Sequence, residues 1–134
     1  MESLMSDLKH YELETDGDVL IIIARTSMVD GTSTDLLDDR ITLHRYVTDH
    51  DISRLVFDFR RASHFSSIVI NTLTFLRNTI VEKRGRMAIC SLSDIAREVL
   101  NISGIDSILD LFPTQGEALA YVQSSPPPSA PSPT

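Results

Sequence analysis

The chain has no tryptophan, one cysteine, five scattered glycines and no long apolar run. Each shortage excludes something. A single cysteine, Cys90, cannot close an internal disulfide and suits a reducing compartment. The longest apolar run, Val19 to Ala24, falls far short of the ~20 residues a membrane helix needs. The N-terminal MESLMSDLKHYELE lacks an apolar signal core, so a cytoplasmic location is expected. There is no G-x-x-x-x-G-K-[ST] and no G-x-G-x-x-G, which leaves little backbone to cradle a nucleotide phosphate. Without C-x-x-C or H-E-x-x-H, neither a metal nor any other cofactor is expected. Basic residues are outnumbered, 12 against 19 acids, and the net charge of -7 argues against a nucleic-acid binder, whose affinity comes from cations neutralising phosphates.

Three remaining polar signals read as structural. Asp49-His50-Asp51 reads as a solvated helix end rather than a ligand set. His64 lies two residues before Ser66, but no G-x-S-x-G elbow or third partner accompanies them, so nucleophilic catalysis is not expected and the chain does not read as an enzyme. Cys90 closes an apolar stretch and reads as an inert core thiol.

What is present is one domain's worth of ordinary globular sequence. Of 134 residues, 42% are hydrophobic and 23% charged, enough to bury roughly two thirds of the unfolded surface without a metal or disulfide. The expected boundaries are a domain over 9–123 and a tail over 124–134. The tail reads SSPPPSAPSPT, holds five of the six prolines and cannot build a core.

Within the domain, strand and helix signals alternate. Tyr11–Glu14 and Val19–Ala24 flank Asp16-Gly17-Asp18 and predict an opening hairpin. Thr32 with Asp35 resembles a capping box, and a helix is expected over 33–48 with Leu37, Ile41 and His44 inward and an acidic outer face. Arg54–Phe59 predicts a central strand. A loop from Arg60 to Phe65 leads to Ser66-Ser67, which opens a helix with the stripe Val69, Leu73, Leu76, Ile80. Lys83-Arg84 is placed in its last turn and Gly85 is read as its stop. Arg86–Cys90 is the next strand. Ser93 caps a third helix over 94–103, with Ile95, Val99 and Ile102 inward and Gly104 ending it. Ile108–Phe112 is a short last strand, and Pro113–Glu117 caps a fourth helix ending near Gln123. The expected fold is a single α/β domain: a mostly parallel sheet of four to five strands, one antiparallel edge strand and four helices.

At Val56-Phe57-Asp58-Phe59 and the helix after it, the sequence resembles the STAS domains of anti-sigma-factor antagonists and sulphate transporters. Ser91-Leu92-Ser93, Val99-Leu100, Ser103-Gly104-Ile105, Leu111-Phe112-Pro113 and Glu117-Ala118-Leu119 follow that family's order, and Val29-Asp30 fits its acidic position before the first helix. The resemblance spans about Tyr11 to Val122. It implies a protein-binding signalling module that docks on a serine-kinase anti-sigma factor and is released when a serine at the start of the second helix is phosphorylated. The alternative it implies is a STAS subunit of a lipid-transport complex or a large signalling assembly.

The family signature, hydrophobic-Asp-hydrophobic, a loop, then Asp-Ser-Ser-Gly, is degraded here. Counted without gaps from Asp58, the family's Asp falls on Ser66, its first serine on Ser67, its phosphoacceptor on Ile68 and its glycine on Val69. Isoleucine accepts no phosphate. A one-residue deletion would instead make Ser67 the acceptor. The ungapped alignment is favoured because it keeps the apolar Phe65 in place, and with it the usual phosphorylation switch is not expected. Either way one of the two serines caps the helix. The expected partner-binding set is Asp30, Gly31, Thr32, Asp58, Arg60, Arg61, His64, Ser66, Ser67 and Ile68, with Ser67 and Ser66 as phosphorylation candidates. Six acids and two arginines lie between Asp30 and Asp51, against seven bases and two acids between Arg54 and Arg86. That polarity is compatible with steering or self-association and leaves the oligomeric state open.

Overall fold

The computed structural model describes residues 11–25, 33–61 and 67–124, with side chains from Asp38 onward in the first helix and from Val69 onward in the second. The elements run β1 (Tyr11–Asp16), β2 (Val19–Ala24), α1 (Ser33–Asp49), β3 (Arg54–Asp58), α2 (Ser67–Glu82), β4 (Arg86–Cys90), α3 (Asp94–Ser103), a 3-10 turn (Ile105–Ser107), β5 (Asp110–Phe112) and α4 (Gln115–Gln123). They form one five-stranded sheet in the order β1-β2-β3-β4-β5, antiparallel between β1 and β2 and parallel elsewhere. The hairpin, the parallel crossovers and the central place of Arg54–Asp58 follow the sequence expectation.

Gly17 at φ 64° lets the two-residue turn set the hairpin register, Asp16 opposite Val19 through to Tyr11 opposite Ala24. The strands then alternate faces. Leu20, Ile22, Leu55, Phe57, Met87 and Ile89 join the larger core beneath α1 and α2. Val19, Ile21, Ile23, Val56, Ala88 and Cys90 meet Ala118 and Val122 of α4 on the other face. A sheet buried on both faces explains why β2 is apolar throughout instead of alternating.

In α2 the stripe Val69, Leu73, Leu76, Ile80 is fully buried, as its spacing predicts. Three other expectations are corrected. In α1 the inward residues are Asp39, Leu43, Tyr46 and Val47, while Ile41 is 53% exposed and His44 lies at the margin against Phe75; Leu37 falls outside the described side chains. A buried carboxylate in the stripe hid the true face. In α3 it is Ala96 and Leu100 that are buried, and Ile95 and Ile102 are 53% and 78% exposed. The apolar arc of that helix is wider than the sheet it covers. Finally, α2 ends at Glu82, and the left-handed residue after it is Arg84, not Gly85. Lys83 reaches across to the end of α1, donating to the carbonyls of Val47 at 2.9 Å and Ile52 at 3.3 Å. Gly85 is required for another reason: a Cβ there would collide with the Ser53 carbonyl.

The caps of the last two helices form as read. Ser93 Oγ accepts from the Ala96 N–H, Gly104 ends α3 at φ 81°, and Thr114 Oγ accepts from the Glu117 N–H. The last strand is shorter than expected, because Ile108 closes the 3-10 turn with its N–H on the Ile105 carbonyl and the strand begins only at Asp110.

Candidate docking site at the carboxyl edge of the sheet

In an open parallel sheet the loops leaving the carboxyl ends of the strands gather on one edge, where such folds present their sites. Here that edge carries a row of paired residues: Glu12 opposite Ile23, Ile23 beside Asp58, Asp58 beside Cys90, and Cys90 beside Phe112. Strand alternation turns Asp58, like Val56 two residues earlier, toward α4.

Asp58 is wholly buried, at 0% exposure. One carboxylate oxygen accepts the Arg60 backbone N–H at 2.9 Å, an Asx turn that bends the chain out of β3. The other accepts from Nε2 of Gln115, at the start of α4, at 2.8 Å, with the Arg60 guanidinium at 3.7 Å. Asp58, one of the expected partner-binding residues, turns its carboxylate inward, where it holds the root of the loop. Arg60 and Arg61 are exposed, as a contact surface requires. Arg61 donates to Glu12 at 3.2 Å, and Arg25 approaches the second oxygen of Glu12 at 3.8 Å. One carboxylate of β1, that of Glu12, thus meets both Arg25 and Arg61, the described residues that lead into the segments at 26–32 and 62–66.

Cys90 lies beside Asp58 and is buried. Burial pushes its thiol up to about 12; the Ser91 hydroxyl opposes this and the Asp58 carboxylate adds to it. Ser91 leaves β4 at φ 64°, an uncommon conformation for a residue with a side chain, and its N–H is held by the Phe112 carbonyl. Among the described residues, no group of three or more His, Cys, Asp or Glu is placed to hold a metal ion, and no helix is long and apolar enough to cross a membrane.

Asp30, Gly31, Thr32, His64 and Ser66 lie outside the described residues, as do the side chains of Ser67 and Ile68. Ser67 is the first residue of α2. The structure therefore brings together Asp58, Arg60 and Arg61 from the expected set and adds Glu12, Arg25 and Gln115. Glu12 and Arg25 were within reach of the sequence: a two-residue turn at Gly17-Asp18 sets Glu12 opposite Ile23, which makes Arg25 its diagonal neighbour on the same face. Gln115 carries no such signal.

The edge thus combines a strand end, an anchored turn and the start of α4, on a mixed sheet with helices on both faces. The chain belongs to the STAS domain family, whose model matches residues 10–118. No curated protein matches the chain. The fold is similar to that of a candidate anti-sigma factor antagonist from Thermotoga maritima, at 14% identity and a TM-score of 0.76 over 85% of this chain and 95% of that one. It is similar also to an anti-sigma-factor antagonist (STAS) domain protein from Planctomyces limnophilus, at 23% identity and a TM-score of 0.74 over 85% and 98%. The anti-sigma factor antagonist SpoIIAA in its unphosphorylated form gives 17% identity and a TM-score of 0.70 over 84% and 96%.

Proposed function

We propose that this chain is a cytoplasmic protein-binding module of the anti-sigma-factor antagonist kind, docking on a serine-kinase anti-sigma factor through the carboxyl edge of its sheet and performing no reaction of its own. The observation that carries the reading is the buried Asp58. Its carboxylate holds the turn after β3, and that turn leaves Arg60 and Arg61 exposed at the carboxyl end of the strand. Family membership supports the same reading, as does the structural likeness to antagonists, of which SpoIIAA is known in unphosphorylated and phosphorylated forms.

We further propose that the usual serine switch is missing. A phosphate brings about -1.5 to -2 charges to a docking face and breaks it by repulsion and desolvation. On the ungapped alignment the acceptor position is Ile68, which has no hydroxyl. A pull-down from native cells, followed by phosphorylation with the recovered kinase and mass-spectrometric mapping, tests both parts. Recovery of a histidine-kinase-like ATPase with no phosphate on this chain is expected. Recovery of a permease with its transport ATPase would replace the reading with a lipid-transport subunit, and stoichiometric phosphate on Ser67 would restore the switch.

A further inference from the structure

We infer that Gln115 is a positioning residue for the turn at Arg60 that follows β3, acting through the buried carboxylate of Asp58. The inference rests on the docking reading above and names what keeps that site in shape. An ionised carboxylate only accepts, so each of its contacts must come from a donor. Oδ1 is taken by the Arg60 N–H at 2.9 Å and Oδ2 by the Gln115 amide at 2.8 Å. Asp58 is at 0% exposure, so the contact is made away from solvent in the parent chain. Among the described residues two more donors reach this carboxylate: the Cys90 thiol, hydrogen-bonded to it, and the Arg60 guanidinium, 3.7 Å from Oδ2 and 47% exposed. Gln115 takes one acceptor site of Oδ2 at hydrogen-bond distance, and the guanidinium stands farther out from the same oxygen. Without Gln115, Oδ2 draws Arg60 inward and the turn moves with it.

The anchor is firm because α4 is fastened at both ends. Thr114 caps its first turn. At the far end, Arg86 donates to the Tyr121 carbonyl at 3.0 Å and to Ser124 Oγ at 2.7 Å, and lies 4.9 Å over the Tyr121 ring. The contact spans 57 residues, so it ties the last helix to the docking loop rather than stabilising a local turn.

The test is amide hydrogen exchange of Arg60, followed by NMR on the full chain and its variants. Gln115→Leu is expected to speed Arg60 exchange about 10-fold, the loss of one hydrogen bond to a charged group, while the Val56 amide in the sheet stays unchanged. Gln115→Glu alone sets two carboxylates face to face and is expected to be worse. Combining it with Asp58→Asn exchanges donor and acceptor across the same contact, leaves an acceptor for the Arg60 N–H, and is expected to restore exchange to within about 3-fold of the parent. Arg60 exchange within about twofold of the parent in Gln115→Leu would overturn the inference. So would a double variant no better than Gln115→Glu. Should Gln115→Glu fail to fold, Gln115→Leu decides alone. The readout needs no partner, so failure to recover a kinase sinks the docking reading and leaves this result standing.

Discussion

Gly85 shows how one atom constrains this fold at the residue scale. The chain passes so close to Ser53 that Gly85 has no room for a methyl, and the next residue's N–H is held by the Ser53 carbonyl at 2.8 Å. Gly85→Ala is expected to lower stability by about 2 kcal/mol, measured by chemical denaturation, because backbone and not a flexible side chain must give way. Cys90 makes a second prediction. Its folded-state value is raised from 9.0 to about 12, so the native state keeps a proton that the unfolded chain releases. Stability is then full below about pH 9 and falls as pH rises toward 12, by up to about 1.4 kcal/mol per pH unit. Tyr11, raised by burial and by Asp39, adds to the same fall above pH 10. Denaturation midpoints from pH 8 to 11 check this, and Cys90→Ala should remove the Cys90 share of the slope. Of these residues, the sequence made Cys90 legible as an apolar strand end, whereas the need for Gly85 came from a neighbour 32 positions away that no local pattern names.

At the scale of elements, apolar spacing was readable wherever the buried stripe contained nothing else. The α2 stripe at Val69, Leu73, Leu76 and Ile80 is of that kind. In α1 the buried Asp39 interrupts the pattern, and the neighbouring row through Ile41 then reads as the better stripe. In α3 the residues Ile95, Ala96, Val99, Leu100 and Ile102 cover more than one face, and spacing alone cannot say which flank meets the sheet. The structure chooses Ala96 and Leu100. Leu100→Ala is therefore expected to cost about 3 kcal/mol, whereas Ile102→Ser should stay within about 0.5 kcal/mol of the parent in the same denaturation assay. Equal losses would mean that α3 is rotated from the orientation described.

At the scale of the whole molecule, the sheet has two unlike ends. Its carboxyl edge holds the Glu12–Asp58–Gln115 framework, with Arg25, Arg60 and Arg61 fanned around it. Its opposite end holds a cleft of about 140 Å³ lined by Arg77, Val81, Arg86, Ile108 and Tyr121 among others. The element order, the antiparallel edge strand and the central place of Arg54–Asp58 were legible because alternating strands and helices leave few topologies open. The long-range contacts at the carboxyl edge, Arg61 to Glu12 and Gln115 to Asp58, were not, since each joins residues from separate elements. Hydrogen exchange of the chain, free and bound to the anti-sigma factor recovered from native cells, tests the central claim most directly. Protection on binding should concentrate at residues 60–68 and at the first turn of α4 around Gln115. Protection confined to the Ile95–Ile102 face of α3, or to the cleft between Arg77 and Tyr121, would contradict it.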